Sequence, residues 1–290
     1  MTNGEEQRRT RLSGYGLGTV DTVLSVDDVA REAQQIAAEG PTREALRALV
    51  PGEPVLAIED LVAGYGRMQI LHGLDLYAGA GQSLCLIGPN GAGKSTILHS
   101  IFGFTRITGG VIRVAGNDVT AMSPKDKLRR AGIAYILQDN SVFPDMSVEE
   151  NLYMGGYLLP RTDEARAAAE QVFAKYPRLQ ERRKQRAGVL SGGERRLLEI
   201  SRALVMQPDV LLVDEPSIGL EPRFIDMVFE ILHGLQHDDG KTIILVEQNA
   251  KKGLEFADLG YVLVSGELAL AGSGDELLEN PEVGRRFLGG

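Results

Sequence analysis

The chain of 290 residues has no tryptophan, a single cysteine and few aromatic residues of any kind, 6% in total. One cysteine, Cys85, cannot form an internal disulfide, so the composition excludes a disulfide scaffold and favours a reducing cytosol. Because Cys85 lies inside an apolar run, we expect a packed core thiol rather than a reactive one. No apolar run approaches the about 18 residues that a membrane-spanning helix needs. Residues 1–11 are polar and charged, which argues against a secretory signal.

Positive charge is also scarce. The chain carries 31 Lys and Arg against 40 Asp and Glu, a formal net charge of −9. Because phosphate contacts require clustered Lys and Arg, this balance argues against a nucleic-acid partner. The four histidines lack the spacing of metal ligands and are expected to be surface or packing residues.

Glycine, in contrast, is concentrated in one informative stretch. Residues 88–96 fit the pattern G-x-x-x-x-G-K-[ST] of a loop that holds nucleotide phosphates. The glycines allow backbone amides to converge on an anion, and the dipole of the following helix points at the same place. Lys94 is expected to reach the β- and γ-phosphates, and the Ser95 hydroxyl to bind Mg²⁺. The predicted nucleotide-binding residues here are Gly88, Pro89, Asn90, Gly91, Ala92, Gly93, Lys94, Ser95 and Thr96.

The alternative reading of this stretch is an ordinary glycine-rich turn between a strand and a helix. The context favours the phosphate loop, because residues 83–87 are typical of a buried strand and residues 96–101 continue as a helix. We therefore predict a nucleotide site at residues 88–96.

Strands and helices are predicted to alternate along the rest of the chain. Apolar strands at residues 133–137, 210–213 and 242–246 alternate with helices, for example at residues 124–130 and 222–235. This pattern indicates an α/β fold with a largely parallel sheet, whose ligands should gather at the carboxyl ends of the strands. From about residue 147 to 185 the pattern is helical, beginning with a capping box at Ser147, which makes this insertion a candidate subdomain.

The N-terminal 54 residues differ from the rest. Residues 1–19 are rich in Gly, Arg and Thr and are expected to be disordered at their start. Ser25 is placed to cap a helix through residue 39, and Thr42 a second short helix at residues 43–50. We interpret residues 1–54 as a small helical extension and residues 55–290 as the main domain.

Two adjacent acids end the predicted strand at residues 210–213. In a phosphate-loop protein, Asp214 would hold Mg²⁺ and Glu215 would polarise the water that attacks the γ-phosphate. A solvated strand end is the alternative, which four apolar residues directly before the acids disfavour. A second glycine pair follows Ser191, and Gly192 and Gly193 would leave amides exposed at a helix N-terminus as another anion site.

These motifs together resemble one family. LSGG (residues 190–193) between GPNGAGKST and LLVDEP resembles the nucleotide-binding subunit of an ABC transporter, over about residues 55–290. The resemblance implies a phosphate-loop NTPase with a RecA-like core, an antiparallel β subdomain and a helical signature subdomain at about residues 120–206. It also implies ATP and Mg²⁺ as ligands.

Further residue roles follow from the resemblance alone. Tyr65 matches the aromatic that stacks on adenine, although local sequence suggests only a turn tyrosine between two glycines. Gln138 matches the glutamine that touches Mg²⁺ and the attacking water. Residues 217–221 match the D-loop, with Glu221 where aspartate is usual. Gln248 stands where the family usually places a histidine; it can donate one neutral hydrogen bond but cannot carry a proton.

Residues 142–152, 246–250 and the closing PEVGRRFLG are similar to the second ATPase of branched-chain amino-acid or amide uptake systems. That resemblance implies a peripheral protein on the cytoplasmic face of the inner membrane. Its expected partners are a second ATPase subunit (the same chain or a related one), two transmembrane permeases and, indirectly, a substrate-binding protein. Because signature amides on a separate subdomain cannot reach their own phosphate loop, ATP would lie between two chains.

Three alternatives remain at this point. One is the ATPase of a lipid or lipopolysaccharide exporter, because such proteins share all the central motifs. Another is a non-transport ABC ATPase, which a single cassette and a negative net charge disfavour. The third is a regulator that binds ATP without hydrolysing it, which Glu215 argues against.

Overall fold

The computed structural model describes residues 40–138 and 141–287. The helix predicted at residues 25–39, and every other prediction for residues 1–39, lie outside the described residues. Within them, two sheets and a group of helices form three large buried apolar clusters and one small one. The first part of the chain contains α1 (Arg43–Ala48), β1 (Leu56–Tyr65), β2 (Met68–Ala78), β3 (Ser83–Ile87), α2 (Lys94–Phe102), β4 (Arg106–Val114), β5 (Asn117–Asp118), α3 (Pro124–Arg130) and β6 (Ile133–Ile136).

Helices dominate the middle of the chain, and strands and helices alternate again after it. The elements are α4 (Val148–Gly155), α5 (Thr162–Lys175), α6 (Pro177–Glu181), a 3₁₀ turn (Ala187–Val189), α7 (Gly192–Leu204), β7 (Val210–Asp214), α8 (Pro222–His237), β8 (Thr242–Val246), α9 (Ala250–Phe256), β9 (Leu259–Val264), β10 (Glu267–Ser273), α10 (Gly274–Glu279) and α11 (Pro281–Phe287).

The larger sheet has the order β10-β9-β3-β8-β7-β6. All its pairings are parallel except that of β10 with β9. β3, β7, β8 and β9 are buried along their whole length, because helices cover one face of this sheet and the antiparallel sheet with α2 covers the other. The predicted α/β fold with a largely parallel sheet is confirmed.

The smaller sheet is antiparallel, with the order β2-β1-β4-β5. The sequence prediction of a turn at Tyr65 is wrong. Gly64 and Tyr65 do not interrupt the strands, because both pair with β2 at the end of β1, and the chain turns at residues 66–67 instead. Gly64 is needed in the strand, since a Cβ atom there would lie 2.0 Å from the Met68 carbonyl oxygen.

The predicted second short helix is present as α1, and the Thr42 side chain caps it as expected. Leu46 and Val50 are 1% and 4% exposed and belong to the same apolar cluster as β1 and β2. Arg43 donates two hydrogen bonds to the Asp75 carboxylate on β2, at 2.9 and 3.0 Å. This end of the N-terminal extension therefore packs on the antiparallel sheet.

The helices between residues 142 and 205 enclose the third apolar cluster, which includes Val148, Leu152, Phe173 and Leu198. The predicted capping box at the start of α4 is confirmed, since Ser147 and Glu150 exchange side-chain and backbone hydrogen bonds. β6 belongs to the larger sheet, where it pairs with β7. The subdomain boundary near residue 120 stays a prediction.

Candidate functional site

The predicted phosphate loop connects the C-terminal end of β3 to α2. Gly88 has a φ of +146°, and a Cβ atom there would lie 2.2 Å from the Leu263 carbonyl oxygen, so only glycine fits. The Lys94 ammonium donates hydrogen bonds to the carbonyl oxygens of Gly88 and Pro89, at 2.8 and 3.0 Å. Burial lowers the pKa of Lys94, against the opposing pull of Glu215 and Asp214. The loop backbone thus forms a concave site, and the Lys94 ammonium lies against it.

A cavity of about 510 Å³ lies over this loop. It brings predicted residues from four separate parts of the chain together, because β3, β7 and β8 are neighbours and β6 follows β7 in the sheet. The lining residues are Ile70, Asn90, Gly91, Gly93, Lys94, Ser95, Thr96, Gln138, Glu215, Ile218 and Gln248.

Asp214 lies beside the loop, 6% exposed, at the end of β7. Its carboxylate accepts a hydrogen bond from Ser95 Oγ at 3.2 Å and one from the Tyr135 hydroxyl at 2.7 Å. A carboxylate, a hydroxyl and the nearby Gln138 amide are the hard oxygen ligands that Mg²⁺ prefers. The residues present therefore fit a magnesium ion bound between Ser95 and Asp214.

Glu215 follows directly and faces the cavity. Its backbone has a φ of +43°, in the left-handed region that is costly for residues other than glycine, and its amide donates to the Val246 carbonyl at 2.8 Å. This turn separates Glu215 from the strand that holds Asp214. The Gln138 side chain donates a 3.0 Å hydrogen bond to Glu215 Oε2. The two residues predicted to handle the attacking water are thus in contact.

Gln248 is exposed at the cavity, in the turn between β8 and α9. The preceding Glu247 holds this turn in place. Its buried carboxylate accepts from Ser217 Oγ at 2.8 Å and from the Asn249 amide at 3.0 Å. The start of the D-loop and the Gln248 turn are therefore tied to one side chain.

Tyr65 lies apart from the cavity lining, and its ring is 42% exposed. Its hydroxyl is hydrogen-bonded to His99 Nδ1 on α2. The His99 ring in turn meets Phe104 and Tyr135 edge-on, with centroids 5.7 Å away in both cases. Burial lowers the pKa of His99. The exposed Tyr65 ring is therefore held by an aromatic cluster beside the phosphate-loop helix.

Ser191, Gly192 and Gly193 start α7 and are absent from the lining of this cavity in the described part of the chain. Ser191 and Glu194 form a capping box, with hydrogen bonds of 3.3 and 3.0 Å between side chain and amide. Gly193 has a packing role as well. A Cβ atom there would lie 2.2 Å from the Phe224 ring. The second glycine is thus required by contact with α8.

Sequence reasoning missed two polar residues at this site. Tyr135 lies opposite Leu212 in the parallel pairing of β6 and β7, so its side chain faces Asp214 two residues further along β7. Arg196, buried in α7, donates to the carbonyl oxygens of Leu137 and Gln138. Neither contact has a signal in the sequence, because both depend on which elements become neighbours.

The described part of the chain contains no helix that is both long and apolar enough to cross a membrane. The family described as ABC transporter matches residues 71–218. The high-affinity branched-chain amino acid transport ATP-binding protein BraG of Pseudomonas aeruginosa is 41% identical over 236 residues, covering 81% of this chain and 100% of that protein. The probable branched-chain amino acid transport ATP-binding protein LivF of Archaeoglobus fulgidus is 38% identical, covering 79% of this chain and 96% of that protein.

Solved structures agree with these relatives. A crystal structure of the ADP conformation of an ATP-binding cassette of an ABC transporter matches with a TM-score of 0.73 and 27% identity. The match covers 82% of this chain and all of the other. The likeness therefore extends over the main domain.

Proposed function

Because this chain belongs to the ABC transporter family as an ATP-binding subunit, we propose that it hydrolyses ATP to drive the import of branched-chain amino acids or related amides. The observation that carries the proposal is the single cavity over the phosphate loop. It is lined by Lys94 and Ser95 together with Gln138, Glu215 and Gln248, which come from distant parts of the chain. The BraG and LivF relatives support the class of substrate by their names.

Each predicted site residue then has a task. Lys94 and the loop amides neutralise the phosphates, and Tyr65 stacks on the adenine. Ser95, Asp214 and Gln138 would hold Mg²⁺, which would withdraw charge from the phosphate oxygens when bound. Glu215 orients the attacking water and takes its proton as the new bond forms to the γ-phosphorus and the bond to ADP breaks. Gln248 donates a neutral hydrogen bond to the γ-phosphate.

The site is completed by a second ATPase chain, the same or a related one. Ser191, Gly192 and Gly193 close over the partner's nucleotide, since they lie at a helix N-terminus and outside the lining of their own cavity. Closure excludes water, and phosphate release allows reopening. We place the chain on the cytoplasmic face of the inner membrane, bound to two permease subunits through the helices between residues 120 and 206.

The domain arrangement is part of the same proposal. Residues 55–290 form the ATPase domain and residues 1–54 an extension, whose α1 end packs on the antiparallel sheet. Lipid export and non-transport roles are not favoured by any feature of the described residues. Glu215 in the cavity disfavours a regulator that only binds ATP.

Two measurements test the proposal. In the organism that encodes the chain, we expect deletion of its gene to abolish ATP-dependent uptake of labelled leucine, isoleucine or valine. The wild-type gene should restore uptake, and a Glu215→Gln gene should not. In the purified full chain, Glu215→Gln should lower phosphate release at least about a hundredfold while ATP binding is retained. Glu230→Gln, the same change at an exposed position on α8, should behave like the parent.

Unchanged leucine, isoleucine and valine uptake after deletion would overturn the substrate class. A Glu215→Gln protein that releases phosphate as fast as the parent would overturn the assignment of the base.

A further inference from the structure

Arg196 lies on α7, little more than one turn after Ser191, and its side chain is only 4% exposed. A single nitrogen of its guanidinium makes all of its hydrogen bonds within the described part of the chain. Nη1 donates to the Leu137 carbonyl oxygen at 2.8 Å, to the Gln138 carbonyl oxygen at 3.4 Å and to Glu199 Oε2 at 2.8 Å. The helix that begins with the signature glycines is thus bonded to the backbone of the Gln138 segment.

The buried charges at Arg196 make its contact with the Gln138 segment hard to replace. Arg196 and Glu199 form an ion pair in which both side chains are about 5% exposed or less. The Nε and Nη2 atoms of Arg196 are buried without a hydrogen-bond partner in the described part of the chain. Taking such a pair out of water carries a desolvation cost that hydrophobic residues would not carry. An arrangement of this kind is better suited to holding two elements in register than to stabilising them.

The hydrogen bonds that start at Arg196 continue through Gln138 to Glu215. Gln138 is held through its backbone by Arg196, and its side chain donates to Glu215 at 3.0 Å. At the N-terminus of α7, just before Arg196, the capping box with Glu194 fixes Ser191 to the first turn of the same helix. A displacement of the signature turn can therefore reach Gln138 through α7 and the hydrogen bonds of Arg196.

We propose that Arg196 is a positioning residue that couples the signature turn of this chain to its own Gln138–Glu215 pair. When Ser191 to Gly193 seat on the partner's nucleotide, Arg196 sets the Gln138 segment so that Gln138 and Glu215 are aligned in this chain's own cavity. Nucleotide binding at one site thus changes the alignment of Gln138 and Glu215 at the other. This inference rests on the proposed function, because it assumes the two-chain site.

A double-mutant cycle in the full chain tests the coupling. If Arg196 acts through Gln138, Arg196→Ala lowers kcat about tenfold with KM nearly unchanged, and it has less than about a twofold further effect in Gln138→Ala. Arg195→Ala is the matched control, because it removes the same charge from the neighbouring position of α7. We expect its effect to be small and independent of Gln138. If Arg196→Ala does not fold, Arg196→Lys enters the same cycle.

A second measurement does not depend on hydrolysis. Since the chain has no tryptophan, Leu137→Trp places a single indole in the Gln138 segment, where the side chain is 40% exposed. We expect Mg-ATP to change its emission in this background and Arg196→Ala to abolish that change. A fluorescent ATP analogue should still bind within about twofold of the parent affinity.

Multiplicative effects of Arg196→Ala and Gln138→Ala on kcat, or an unaltered indole response, would overturn the inference while the proposed function stands. An ATPase that is indifferent to Glu215→Gln would overturn the assignment of Glu215 as the base, and the indole response would still test the role of Arg196 separately.

Discussion

The hydroxyl of Tyr135 donates a 2.7 Å hydrogen bond to Oδ2 of Asp214, the carboxylate beside the phosphate loop. Ser95 Oγ donates to the other oxygen of the same carboxylate at 3.2 Å. Burial raises the pKa of Tyr135, and the charge of Asp214 raises it further, so the phenol remains a donor throughout the physiological range. Tyr135 thereby fixes the orientation of the proposed magnesium ligand.

Tyr135→Phe should weaken magnesium binding rather than nucleotide binding. A hydrogen bond to a charged group contributes about 1.5–3 kcal/mol. Loss of half of this free energy from magnesium binding raises the Mg²⁺ concentration for half-maximal hydrolysis about fivefold. A magnesium titration of phosphate release measures this, with nucleotide affinity in EDTA expected to stay the same. Tyr157→Phe, at a residue 77% exposed, is the control. Equal magnesium dependence in parent and Tyr135→Phe would refute the role.

Gly193→Ala should lose stability as well as activity. The added Cβ would lie 2.2 Å from Cδ1 of Phe224, and such overpacking costs about 1–3 kcal/mol. Urea unfolding should show the loss, and Phe224→Ala in the same chain should recover part of it. Gly192→Ala is the matched control, because its Cβ would meet only Leu220 at 3.6 Å. If Phe224→Ala recovers nothing, the glycine is not required for packing.

Leu46→Ala should destabilise the whole domain although Leu46 precedes the first strand. Its side chain is 1% exposed in the apolar cluster beneath the antiparallel sheet, and truncations of this kind cost about 2–4 kcal/mol. The urea midpoint should fall at an unchanged m-value. Leu49→Ala, at a partly buried position of the same segment, should cost less than half as much. Equal stability of parent and Leu46→Ala would show that α1 folds apart from the domain.

The buried thiol of Cys85 should make stability fall at alkaline pH. Burial raises the pKa of Cys85, with the charge of Glu247 adding to the shift. Below about pH 8.5, the ordinary pKa of the unfolded thiol, both states are protonated and the group contributes fully. Above it only the unfolded chain ionises, so the stability of the parent relative to Cys85→Ala should drop by about 1 kcal/mol between pH 8.5 and 9.5.

Urea unfolding at the two pH values, with a reductant present, measures that difference. Identical pH profiles for parent and Cys85→Ala would contradict it. As a second check, the native thiol should resist alkylation until the protein is unfolded.

Local features of the fold could be predicted with good boundaries. Pro124–Arg130 and Thr242–Val246 match their predicted ranges, and the capping box at Ser147 was readable from three neighbouring residues. These features depend on contacts within one or two turns or on burial along one strand. Both can be recognised from the pattern of neighbouring residues. The turn at residues 66–67 was misplaced because Gly64 continues β1, where it packs closely against the backbone of the paired strand β2.

The sequence by itself determined the phosphate loop, the acids after β7 and the signature glycines, because each is a short pattern with its own chemistry. Only the tertiary structure decided which distant residues meet. The strand order brings Gln138, Glu215 and Gln248 to one cavity, and the β6–β7 register turns Tyr135 toward Asp214. The hydrogen bond from the buried Arg196 to the Leu137 carbonyl oxygen was likewise decided by the tertiary structure. Such contacts join segments about 60 to 120 residues apart, and side-chain packing and sheet topology, not local propensity, set their geometry.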